Sequence, residues 1–110
     1  MKIIIIPNFG TRISPRLDFA ESLNLFKVKS GKVMEIEIIK FIAHNRLERI
    51  NMLVGLKPDI IICDGISQIT RDKLTQENII VIPWIHGEIR EVIDMFLSGK
   101  LQAAEKSTGE

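Results

Sequence analysis

The chain has 110 residues, 45% of them hydrophobic and 26% charged, with a formal net charge of +1. That length fits a single domain with one core, and the near-neutral charge gives no sign of a polyanion binder, so no nucleic-acid role is expected. A lone cysteine excludes an internal disulfide and fits a reducing cytosol, and no apolar stretch approaches the ~20 residues of a membrane span.

Lys2–Ile6 is a continuous β-branched run, too short for the core of a signal peptide. It reads as a central strand buried on both faces, ended by Pro7. From Asn8 to Ala20, Gly10 and Pro15 argue against regular structure, and a loop of about a dozen residues in a small domain is more often functional than a short one. Ser22–Lys29 and Val33–Lys40 form a hairpin. A three-residue connection, Ser30-Gly31-Lys32, sets Val28 opposite Met34, Phe26 opposite Ile36 and Lys27 opposite Glu35, separating an apolar face from a charged pair.

Phe41–Asn45 leads into a helix running to about Val54. Asn45 and Glu48 have capping-box spacing, and Leu47, Ile50 and Val54 lie on one face with Leu53 beside them. Gly55 and Pro58 end it. The organising stretch is Pro58–Glu91. Two aliphatic runs, Asp59–Cys63 and Ile79–Ile82, flank a polar helix from about Ser67, a plausible N-cap, to Gln76. Runs this short, bounded by Pro, Gly and Asp, suit strands covered on both faces, and their order implies a right-handed parallel crossover. In the last helix Ile89, Val92, Ile93, Phe96 and Leu97 recur at helical spacing, with Glu88 and Glu91 at its positive end and Gly99 as its stop. The element order is βββαβαβα. The expected domain is 1–101, followed by a polar, flexible tail at 102–110.

Ligands of open parallel sheets bind outside the carboxyl ends of the strands. Two such ends carry Cys63-Asp64-Gly65 and Pro83-Trp84-Ile85-His86-Gly87, and the long loop returns to the same edge. Cys63 reads either as a small buried apolar residue or as a thiolate metal ligand. His86, just before a helix N-terminus, is either a neutral imidazole able to ligate metal or an exposed loop histidine. His44 reads as structural or exposed. The Asp64-Gly65-Ile66-Ser67 turn is a capped turn or an anion cradle that Gly65 lets a ligand approach. Arg12 and Arg16 suit an anionic ligand, or Arg16 pairs with Asp18 and fixes the loop. Trp84 walls a pocket or caps the core. One cysteine cannot complete a metal site alone, so a ligand set needs His86, an exogenous thiolate or a second subunit, as in a homodimer. No phosphate-loop signature is present.

Three segments carry a family likeness: Ile13-Ser14-Pro15-Arg16-Leu17-Asp18-Phe19-Ala20 after the opening strand, Pro58 through Ser67, and Asn78 through Trp84 followed by Gly87-Glu88-Ile89-Arg90-Glu91-Val92. Their order and spacing over Met1 to about Leu101 resemble the dinitrogenase iron–molybdenum cofactor biosynthesis family, the NifX-type and NifB C-terminal-type domains. The resemblance implies a ribonuclease H-like α/β fold with a mixed five-stranded sheet, order 3-2-1-4-5, strand 2 antiparallel. It implies a cytoplasmic protein that is no enzyme. Such a protein binds or carries an iron–sulfur or iron–molybdenum cluster precursor and works with metallocluster assembly or acceptor proteins. On that reading Cys63 and His86 are the metal ligands, with Arg12, Arg16, Asp64, Gly65, Ser67 and Trp84 around the cluster. Many members carry Ser-Pro-His-Phe-Gly where this chain has Ser14-Pro15-Arg16-Leu17-Asp18, which weakens the case for direct ligation by the loop. The alternative is a metal-free regulatory or interaction module of the same fold. A nuclease needs clustered carboxylates for two metals, and the opening strand has none.

Overall fold

The computed structural model describes residues 1–101, so the expected tail at 102–110 lies outside the described residues. In chain order the elements are β1 (Lys2–Phe9), β2 (Arg12–Ile13), a 3-10 turn (Leu17–Phe19), β3 (Ser22–Lys29), β4 (Lys32–Lys40), α1 (Arg46–Gly55), β5 (Ile60–Ile62), α2 (Gln68–Gln76), β6 (Ile80–Ile82) and α3 (Ile89–Leu97). The class is mixed α/β. The strands form one six-stranded sheet of order β4-β3-β1-β5-β6, with β2 paired to β1 alone. β3 is antiparallel to both neighbours, whereas β5 is parallel to β1 and to β6. No helix among the described residues is long and apolar enough to cross a membrane.

The alternating directions of β1 side chains split the core in two. Ile5 packs with Leu23, Leu25 and Ile61 beneath Ile50 and Leu53 of α1 and Leu74 of α2. Ile4 and Ile6 pack with Phe26, Ile60 and Ile62 beneath Ile89, Val92 and Ile93 of α3. Ile4, Ile5, Ile6, Ile61 and Ile62 have no exposed surface. Their burial is worth on the order of 10 kcal/mol gross, comparable to the whole net stability of an ordinary domain. The aliphatic runs of β1 and β5 therefore set where the sheet's centre lies.

Several sequence expectations are corrected. β1 does not end at Pro7 but continues to Phe9. β5 accompanies only Ile4 and Ile5, so Pro7 sits where that flank needs no ladder donor. The stretch expected as a long loop is largely organised: Gly10, at φ 63°, turns β1 into β2, pairing Phe9 with Arg12 and Asn8 with Ile13. β6 is an edge strand with Ile80 exposed, not a strand covered on both faces.

The hairpin also differs in detail. Lys27 faces Glu35 and Phe26 faces Ile36, but Val28 faces Val33, so the connection is the two-residue Ser30-Gly31, both at positive φ. A bulge at Met34 absorbs the extra residue, which lets a tight turn coexist with the apolar register. The apolar row Met34, Ile36 and Ile38 is nevertheless exposed, at 60%, 55% and 63%, because β4 lies at the sheet edge beyond the residues that α3 covers. In α1, Ile50 and Leu53 are buried while Leu47, in the first turn, is exposed.

Candidate functional site

The segment after β2 straps the carboxyl ends of the central strands. Ile13 donates its N–H to the Gly87 carbonyl at 3.0 Å, and Ile89 donates to the Thr11 carbonyl at 3.0 Å. Further along, Gly65 donates to the Pro15 carbonyl at 2.9 Å and Leu17 donates to the Gly65 carbonyl at 2.8 Å, forming a bridge between Arg16 and Gly65. A Cβ on Gly65 would lie 2.9 Å from the Pro15 carbonyl oxygen. The close approach that a glycine permits is here filled by the chain's own backbone.

Beyond the strap, Asp18 reaches the N-terminus of α2. Its carboxylate accepts from the Ser67 N–H at 2.9 Å, the Ser67 hydroxyl at 3.0 Å and the Thr70 hydroxyl at 2.7 Å. Burial alone would raise the Asp18 carboxyl, but the Thr70 and Ser67 hydrogen bonds, with help from Arg16, outweigh it and hold the group below its ordinary value. The anion at this helix end is thus internal. Ser67 is the N-cap, its hydroxyl accepting from the Thr70 N–H at 3.3 Å.

The remaining expected site residues divide by exposure. Cys63 has none and belongs to the core beneath α1 and α2. Burial first, and then repulsion from Asp64, pushes its thiol up to about 12. As folded, it offers no thiolate surface to a ligand. His86 is exposed in the connection between β6 and α3, its Nδ1 lying 3.8 Å from Asp64 Oδ2. Burial pushes the Asp64 carboxyl up, with His86 acting the other way. Trp84, at φ 66°, is 44% exposed and is anchored by its N–H to the Asp64 carbonyl at 3.1 Å. Arg12 pairs with Glu88 at 3.2 Å across the strap, and Arg16 lies 3.9 Å from Asp18 with its guanidinium 5.5 Å from the Phe19 ring centroid. Arg16, Asp64, Trp84 and His86 therefore share the sheet's carboxyl edge, whereas Cys63 lies beneath it and Ser67 is committed to Asp18. Among the described residues, no group of three or more His, Cys, Asp or Glu is arranged to hold a metal ion.

Sequence reasoning missed a cleft on the opposite side of the 3-10 turn. It measures ≈ 430 Å³ and opens between that turn and the start of α1. Buried Leu17, Phe41, Ile50 and Leu53 lie along it. Its wall is fixed by Arg49, which donates to the Leu17 carbonyl at 3.1 Å and to the Ala20 carbonyl, and whose guanidinium lies 4.2 Å from the Phe41 ring centroid. Arg49 Nε is buried with no acceptor among the described residues. A signal was present in the sequence: Arg46 and Arg49 fall at helical spacing from Ile50 and Leu53, which puts two cations beside the apolar stripe. His44 lies on the rim, its backbone N–H donating to Glu48 at 2.8 Å while the Glu48 N–H donates to Asn45 at 2.9 Å.

No family model and no curated protein matches the chain. Solved structures do. The crystal structure of PH0822 superposes with a TM-score of 0.89 at 18% identity, over 94% of this chain and 96% of that one. The apo form of the orange protein from Desulfovibrio gigas gives 0.77 at 16% identity, over 94% and 93%. A provisionally named dinitrogenase from Methanocaldococcus jannaschii gives 0.75 at 18% identity, over 91% of each chain. At these identities the likeness is one of fold, and at that level the resemblance to dinitrogenase-related domains read from the sequence is met.

Proposed function

We propose that this chain is a non-catalytic, cytoplasmic accessory protein that reversibly holds a preformed, anionic iron–sulfur or iron–molybdenum cluster precursor at the carboxyl edge of its sheet and passes it to an assembly or acceptor protein. The observation that carries this reading is the convergence of Arg16, Asp64, Trp84 and His86 on that edge. The fold is shared with a dinitrogenase-type protein and with the apo form of the orange protein, and the order β4-β3-β1-β5-β6, with β3 antiparallel, supports the ribonuclease H-like assignment.

The donor set narrows how a cluster would be held. One exposed imidazole and one carboxylate cannot close a ligand shell, and the Cys63 thiol is buried and protonated. The cargo therefore arrives with its ligands complete, or a second subunit of a homodimer supplies the missing ones. Arg16 and Arg12 supply guanidinium donors to its sulfur surface, His86 supplies a donor atom, and Trp84 excludes water from one side. Release follows when an acceptor offers thiolates.

Anaerobic incubation with a preformed cluster, gel filtration and visible absorption test this. Retention of the charge-transfer band by wild type and Cys63→Ser, with loss in Arg16→Gln and His86→Ala, is the expected outcome. A band that all variants retain equally, or that wild type never retains, sinks it. The second reading, a metal-free interaction module, is favoured by the aromatic surface of Phe9, Phe19 and Trp84, exposed at 76%, 72% and 44%. It predicts protein capture that survives chelation.

A further inference from the structure

We infer that the cleft between the 3-10 turn and α1 is a binding site for a small apolar amino acid. Its volume, ≈ 430 Å³, falls within the range of small-molecule sites. Leu17, Phe41, Ile50 and Leu53 are buried along it and present an apolar floor. Around that floor stand charges of both signs. Arg46 and Glu21 line the cleft, are exposed, and make no direct ion pair or side-chain hydrogen bond among the described residues, although the Glu21 carboxylate acts on Arg49 through space. The third and fourth charges are already committed. Asp18 is satisfied by Ser67 and Thr70, and Arg49 is held by the Leu17 and Ala20 carbonyls.

A ligand that answers both uncommitted charges must itself carry both. A carboxylate meets Arg46 at the first turn of α1, where the helix end also favours negative charge. An ammonium group meets Glu21. The side chain between them rests on the apolar floor. A plain anion would leave Glu21 opposed to it, and a plain cation would leave Arg46 opposed to it, so the pattern selects a zwitterion. Arg49 is a positioning residue here. Its bonds to the turn and its stacking on Phe41 fix the wall before any ligand arrives, and such preorganisation lowers the cost of binding. This inference is independent of the strand-end reading, because the cleft shares neither His86 nor Arg16.

The test is titration of the ¹⁵N-labelled full chain, followed by amide shifts, with L-phenylalanine and three controls. Phenethylamine lacks the carboxylate, 3-phenylpropionate lacks the ammonium group, and L-serine lacks the apolar body. Saturable shifts at Ala43, Arg46, Arg49 and Thr70 are expected with phenylalanine, and about tenfold weaker binding with each control. Arg46→Gln should weaken phenylalanine and phenylpropionate about tenfold and tighten phenethylamine by relieving its repulsion from the guanidinium, and Glu21→Gln should do the converse. Both side chains are at the surface, so neither exchange threatens the fold. The inference is overturned by no saturable shift below ~10 mM phenylalanine, by phenylpropionate binding as tightly as phenylalanine, or by binding that neither variant changes. Because His86→Ala is expected to leave these shifts intact, failure here and failure of the cluster reading are separate results.

Discussion

The two sides of the Leu17–Phe19 turn are built differently. Toward β5 and β6 it is joined backbone to backbone: Pro15 and Leu17 bond Gly65 at 2.9 and 2.8 Å, and no room remains for a side chain at Gly65. Toward α1 it is joined by a long side chain, Arg49, reaching the Leu17 and Ala20 carbonyls, and a cleft of ≈ 430 Å³ remains beside that strut. Backbone pairing brings chains to about 5 Å, whereas a guanidinium on its stem holds them farther apart. Whether a sheet's carboxyl edge offers a pocket thus depends on how the covering segment is attached as well as on which residues end the strands.

The largest expected effect tests the sealed side. The Cys63 thiol is fully buried and pushed up to about 12 from an ordinary 9.0. At pH 8 the thiolate fraction falls by about a thousandfold from that shift alone, and burial removes access as well. Reaction with a disulfide reagent should therefore be at least a thousandfold slower in native protein than in denaturant. A native rate within tenfold of the unfolded one would mean that the strap opens readily and that Cys63 is available to a cluster after all.

Next in size is Asp18, which ties the turn to α2. Asp18→Ala removes acceptors from one N–H and two hydroxyls and should cost about 3 kcal/mol in urea unfolding, with Asp18→Asn intermediate. The folded-state carboxyl is held below its ordinary 3.8, so its contribution is complete above that value and is lost as pH falls through the lowered one. Wild type should accordingly lose its advantage over Asp18→Asn as pH falls below 3.8 and through the lowered folded-state value. A pH-independent difference would assign the effect to packing instead.

Gly65→Ala probes the seal from the opposite partner. The new Cβ meets the Pro15 carbonyl oxygen, a backbone atom that cannot swing aside. A loss of about 2 kcal/mol is expected, or roughly 10 °C in Tm for a domain of this size. Calorimetry showing no change would break the contrast drawn between the two sides of the turn.

These residues also mark what could be read from the sequence. The aliphatic runs around Ile4–Ile6 and Ile60–Ile62, the capping pair Asn45 and Glu48, and the apolar spacing of α3 announced their elements because local pattern and burial agree there. Lys27 opposite Glu35 was legible for the same reason. The bulge at Met34 was not, because turn chemistry favoured a two-residue connection while apolar pairing favoured a longer one, and only a bulge satisfies both. Topology placed Arg16, Asp64, Trp84 and His86 at one edge because each follows a strand end or the strap that covers it. The sealing of Gly65 by Pro15, the grip of Asp18 on Ser67 and Thr70, and the Arg49 strut each join residues far apart in sequence. No local pattern encodes such contacts.

The smallest expected effect concerns β4, a surface neither sealed nor walled. Met34, Ile36 and Ile38 form an apolar row at the sheet edge that is more than half exposed, and Glu35 and Glu37 point to the other face. An exposed edge of this kind invites pairing with a second copy. In an antiparallel self-pairing centred on Ile36, Glu35 falls opposite Glu37 on both sides and Lys32 falls opposite Lys40, so like charges meet throughout. Ile36→Thr removes little burial and keeps a β-branched residue, so stability should change by no more than about 0.5 kcal/mol. Glu35→Gln with Glu37→Gln removes the repulsion and should leave the monomer's unfolding within the same limit, since the Lys27–Glu35 pair is exposed. It should, however, raise the fraction of dimer seen by sedimentation at high concentration. A monomer that stays monomeric in that double variant would show that the edge is protected by shape, through the bulge at Met34, rather than by charge.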